Sequence, residues 1–170
     1  TIGALYDDFT DANETDRFIW AVDKGLPSPI SAIGKGYRSI ITPDLFYYGG
    51  REFVRGRFDG KINWVESSRE PGCLSAAPYG TGDTDGCAFS FGTSDAAAQI
   101  THEAAKCHDV LNQIFIEETG TNMPVDSTAI LLKAMLTHGA SWESIADKLA
   151  SLMETSPKKL SKWLGNGIPN

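Results

Sequence analysis

Ser94 is the residue whose type and place best suit chemistry. It stands in Phe91-Gly92-Thr93-Ser94-Asp95-Ala96-Ala97-Ala98, where a glycine precedes two hydroxyl residues and an alanine run follows. One reading is a helix start, with Thr93 or Ser94 accepting a hydrogen bond from an unpaired first-turn N–H. The other makes Ser94 a nucleophile. Free backbone N–H groups and the helix dipole favour negative charge at such a position, so an oxyanion is stabilised as it forms. The two readings are compatible.

A serine nucleophile needs a base to take its proton and a group to orient that base. The chain has three histidines, His102, His108 and His138. On a helix that starts at Ser94, His102 lies about 12 Å along the axis and His108 about 21 Å, so neither reaches the serine. His138 reads as a residue near the C-terminus of a second helix. The order Ser94, Asp126, His138 is that of an α/β-hydrolase esterase. Its nucleophile elbow, however, asks for glycine where Ala96 stands, and too little chain separates Ser94 from Asp126 for a sheet.

Metal chemistry finds less support. His102, Cys107 and His108 point about 120–140° apart at 100° per helical residue and do not converge on one ion. The acidic group Asp7, Asp8, Asp11, Glu14 and Asp16 lacks the spacing of a calcium loop and reads as a solvated segment. No metal and no cofactor is expected. Cys73, Cys87 and Cys107 are too few for a disulfide framework. Cys73 and Cys87 would pair only if their strands lay side by side. Free thiols are the expectation, which favours a reducing, cytoplasmic compartment.

The elements that must position Ser94 follow from periodicity. Residues 1–5 read as a strand, 18–22 as a short strand or turn, and 25–36 as a loop rich in proline and glycine. Residues 40–48 read as one buried strand ending at Gly49-Gly50. Residues 51–67 read as a hairpin turning at Asp59-Gly60, and 73–77 and 87–91 as two further strands. Ile100, Ala104, Cys107, Leu111 and Ile114 step by four and three, giving one apolar stripe on a helix that stops near Gly120. A second helix over 124–138 carries Ile130, Leu131, Ala134 and Met135 on one face, with Gly139 as its stop. Two shorter helices are expected over 142–153 and 156–164. The strands at 1–5 and 40–46 are expected to be parallel.

The chain has 170 residues, enough for one domain with a core. Fifteen Lys and Arg against 22 Asp and Glu give a net charge of −7, with no basic cluster. That balance argues against nucleic acid or an anionic membrane as partner. No apolar run approaches the roughly 20 residues that span a bilayer. The chain opens on Thr1 with a strand-like segment and no leader, which reads as a piece of a longer polypeptide whose upstream part is absent.

Five segments in order resemble the subtilisin-like serine proteases. Gly92-Thr93-Ser94 followed by Ala96-Ala97 is similar to the family's nucleophile motif, although Ala98 stands where proline is usual and Asp95 replaces the common Met, Phe or Asn. Ser31-Ala32-Ile33-Gly34 is similar to the Ser-x-x-Gly after a core strand. Pro43-Asp44-Leu45 with Gly49-Gly50 resembles another segment, with Tyr47-Tyr48 in place of Ala-Pro. Residues 131–142, containing His138-Gly139-Ala140, resemble the helix that packs on the nucleophile helix. Residues 164–170 resemble the closing motif, with Asn166 in place of Tyr.

The resemblance implies an α/β fold in which 1–170 is the C-terminal part of a parallel-sheet peptidase domain, with the nucleophile helix and a C-terminal helical group. It implies a serine endopeptidase acting on peptide or protein substrates, with Ser94 as nucleophile. The catalytic Asp, the His and an oxyanion Asn would lie in the upstream part of the same polypeptide, so these residues alone are expected to be inactive. A non-catalytic scaffold or interaction module of the same fold is the alternative from another class.

Overall fold

The computed structural model describes residues 1–15, 18–56, 59–65, 70–77, 84–142 and 145–169. Among these the fold is mixed α/β, with small sheets and four helices. β1 (Ile2–Leu5) and β5 (Leu45–Tyr48) pair in parallel, Ile2 opposite Leu45 and Leu5 opposite Tyr48. The single strand expected over 40–48 is divided. β4 (Ile41–Thr42) pairs instead with β3 (Gly34–Lys35), and Ile40 is exposed. Pro43 has no N–H to offer a ladder, so the run breaks there. Ser31 closes the other edge of β1: its Oγ accepts from the Ala4 N–H at 2.8 Å and donates to the Ala4 carbonyl at 3.0 Å.

β2 (Ile19–Trp20), β6 (Phe53–Gly56) and β7 (Ile62–Trp64) form an antiparallel sheet in the order β2-β6-β7. The expected hairpin is therefore present, and β2 extends it; residues 57–58 and 66–69 lie outside the described residues. β8 (Cys73–Ala76) and β9 (Cys87–Ser90) form a second antiparallel pair, and most of the expected turn between them, 78–83, lies outside the described residues. Its register sets Cys73 opposite Ser90 and Cys87 opposite Ala76, at opposite ends of the ladder; all three cysteines are free.

The acidic stretch after β1 is not wholly solvated, which corrects the sequence reading. Asp8 is buried and accepts hydrogen bonds from the Arg51 and Gly72 backbone N–H groups, while Arg51 Nη2 pairs with it at 3.0 Å. Asp16 lies outside the described residues.

α1 (Thr93–Thr119) is one continuous helix, closed by Gly120 in a left-handed conformation. α2 (Val125–His138) follows and stops at Gly139. α1 packs on β1 and β5, burying Ala96 and Ile100. Farther along, the apolar stripe loses its cover: Ile114 is half exposed. The face of α2 expected to pack is open too, with Ile130, Leu131 and Met135 exposed. Both helices have the predicted period, but among the described residues only the start of the α1 stripe is fully buried.

The chain closes with β10 (Ala140–Ser141), α3 (Ala146–Leu152), a 3-10 turn at Pro157–Lys159, α4 (Ser161–Leu164) and β11 (Ile168–Pro169), which pairs antiparallel with β10. The helix expected from 142 starts only at Ala146. This group supplies the core. Phe46 of β5 and Leu5 of β1 pack with Trp142, Leu149, Leu160 and Leu164. The Trp142 ring meets Phe46 at 5.2 Å between centroids, and its Nε1 donates to the Gly165 carbonyl at 3.3 Å.

Candidate active site

Ser94 is the second residue of α1, and its side chain is exposed. The helix cap is Gly92, and no side chain caps the first turn. Neither Thr93 nor Ser94 is therefore the side-chain cap expected for the helix start. Among the described residues the Ser94 hydroxyl has no hydrogen-bond partner. The N–H groups of Thr93, Ser94 and Asp95 precede the first intrahelical bond, which Ala96 N–H makes to the Gly92 carbonyl at 3.2 Å.

This helix start is held at the C-terminal ends of the parallel pair. Gly49, directly after β5, accepts the Gly92 N–H at 2.7 Å and donates to the Leu5 carbonyl at 3.1 Å. A Cβ at Gly49 would overlap the Cβ of Ala4, and one at Gly50 would come within 2.8 Å of the Ser90 carbonyl. The two glycines thus allow the closest approach of β1, β5 and the loop that carries Ser94. In open α/β sheets the C-terminal edge of the strands is where ligands are bound.

Beside Ser94 lies a polar cluster that sequence reading missed. The Asp95 Oδ1 accepts Ser90 Oγ at 2.6 Å and Ser75 Oγ at 3.2 Å, and the two hydroxyls are 2.8 Å apart. β8 and β9 thereby tie their ends to the first turn of α1. Gln99, one turn on, donates to the Tyr48 carbonyl at 3.2 Å and to Cys73 Sγ at 3.1 Å. Burial, and then the negative charges of Asp95 and Asp8, push the Cys73 thiol up to about 11, outweighing the Gln99 hydrogen bond. Cys73 is neutral near pH 7 and no rival nucleophile. The one signal in the sequence was Asp95 itself, an acid where the resembled motif has a neutral residue.

Among the described residues no histidine is hydrogen-bonded to Ser94. His102 is exposed about two turns farther along α1, and His108 is 3.3 Å from Asp109. His138 ends α2 in an open groove with Ile130, Ala134 and Thr137. Asp126 and His138 occupy opposite ends of that helix, about 18 Å apart at 1.5 Å per residue. The esterase order is therefore not assembled. Among the described residues no three His, Cys, Asp or Glu side chains are grouped to hold a metal ion, and no helix is long and apolar enough to cross a membrane.

These features define a mixed α/β protein with an exposed serine, unpartnered among the described residues, on a helix N-terminus at the end of a parallel strand pair. No protein-family model, no curated protein and no solved structure matches the chain.

Proposed function

We propose that Ser94 is the nucleophile of a subtilisin-like serine endopeptidase, and that this chain forms the C-terminal part of its catalytic domain. The observation that carries the reading is the exposed Ser94 hydroxyl on the first turn of α1, unpartnered among the described residues, beside backbone N–H groups with no intrahelical acceptor. The order of the five family-like segments supports the same reading. Ser94 Oγ attacks the peptide carbonyl carbon, and a histidine from the upstream part of the polypeptide takes its proton. The oxyanion of the tetrahedral intermediate is held by the Ser94 N–H together with a donor from that upstream part. The histidine then protonates the leaving amine, and water hydrolyses the acyl-enzyme. Ala97 and Ala98, which are not buried, keep the start of the helix slim, so that a neighbouring base can approach.

The test is Ser94→Ala in the full-length polypeptide, with labelling by a serine-directed fluorophosphonate. The expected result is loss of labelling and a fall in turnover of at least about 10³-fold with the fold intact. Labelling that persists, or activity within about tenfold of wild type, means that Ser94 is not the nucleophile.

A further inference from the structure

A cleft of about 520 Å³ opens one residue from Ser94, between the first turns of α1 and the β8–β9 pair. Its walls are apolar: Phe9, Leu74, Phe89 and Ala98 line it, and Phe9 and Leu74 leave most of their surface exposed. Among the described residues its ionisable groups include two acids, Asp95 and Glu70, and none of them is a lysine or arginine. The nearby Arg51 is already engaged, its guanidinium bound to Asp8 and to the Thr10 carbonyl at 3.0 Å each and stacked 4.3 Å from the Trp20 ring centroid.

The Asp95 carboxylate is fixed rather than free to swing. Ser75 and Ser90 both donate to Oδ1, while Oδ2 has no hydrogen-bond partner among the described residues. An oriented carboxylate with one oxygen open, inside an apolar-walled cleft, suits a cation on a long aliphatic stem.

The geometry points to this cleft as a specificity pocket for a lysine or arginine side chain of the peptide substrate, close to the bond that Ser94 attacks. The aliphatic stem lies along Leu74 and Phe89, and the charged head pairs with Asp95, with Glu70 adding to the field. This rests on Ser94 as the nucleophile. Asp95 is then a specificity-determining residue, and its replacement of the neutral residue in the resembled motif has a function.

The experiment uses the full-length polypeptide and matched peptides. Each position flanking the cleaved bond carries, in turn, lysine, arginine, norleucine or glutamate. The expected result is a kcat/KM for lysine or arginine above that for norleucine by about 10- to 100-fold at one position, the size of an oriented charged hydrogen bond. In Asp95→Asn that ratio falls to within about threefold, and in Asp95→Lys the preference turns to glutamate. The ratio cancels any general loss from disturbing Ser75 and Ser90. Glu70→Gln, which leaves the Asp95 network untouched, lowers the ratio in part and serves if Asp95 variants do not fold. Ser94-dependent turnover without a basic preference overturns the pocket and leaves the peptidase standing. A ratio unchanged in Asp95→Asn, or in Glu70→Gln where that variant must serve, does the same. No Ser94-dependent turnover of any peptide overturns both.

Discussion

Asp8 and Glu52 are both 3% exposed, yet the fold treats the two acids in opposite ways. Burial alone would raise Asp8, but hydrogen bonds from Arg51 and Thr10, with the Arg51 charge, hold its carboxyl below the ordinary range. Neither carboxyl oxygen of Glu52 has a hydrogen-bond partner among the described residues, and burial pushes it up to about 8. Glu52 therefore stays protonated in the fold while it ionises in the unfolded chain near its ordinary 4.5. The unfolded state holds fewer protons in that window, so stability falls as pH rises from about 4.5 to about 8. Between pH 5 and pH 8 the loss is at most roughly 4 kcal/mol. Urea midpoints at the two pH values check it, and Glu52→Gln should remove most of the slope. A slope unchanged in that variant would assign the effect to other groups.

At the scale of elements, α1 and α2 show how far periodicity reaches. Ile100 lies on the α1 stripe against the β1–β5 pair and is 4% exposed, whereas Ile130 on α2 is 72% exposed. Ile100→Ala is expected to cost about 2–5 kcal/mol, because it leaves a cavity in a packed contact. Ile130→Ala is expected to change stability by less than about 0.5 kcal/mol, because no cover is lost. Denaturant midpoints of the two variants decide it, and equal costs would show that α2 is covered in solution. Both helices, with their glycine stops, were legible in the sequence because a helix is built from contacts within about four residues. Which part of each apolar stripe is buried was not, since that depends on strands up to about a hundred residues away. The division of 40–48 into two strands turned on Pro43, a single missing donor.

For the whole molecule, the lack of any histidine hydrogen-bonded to Ser94 among the described residues has a direct consequence. The 170-residue chain by itself is expected to hydrolyse no peptide, because His102 and His108 are carried away along α1 and His138 ends α2. The measurement is turnover of a fluorogenic peptide library by the purified chain. Turnover that disappears in Ser94→Ala would overturn it, and would call for a base within these residues.

What the sequence determined by itself was local: the long helix from Thr93, its stop at Gly120, the turn at Asp59-Gly60, and a serine placed where a helix begins. Each follows from interactions between near neighbours. Tertiary structure alone decided the surroundings of that serine. By its spacing alone Asp8 is one of a run of solvated acids; it is buried and paired because the fold brings to it Arg51, 43 residues on, and Gly72, 64 residues on. Asp95 was a bare departure from a motif until the β8–β9 ladder set Ser75 and Ser90 against it. Charge state, burial and pocket shape depend on which distant groups meet, and neither composition nor spacing along the chain encodes that meeting directly.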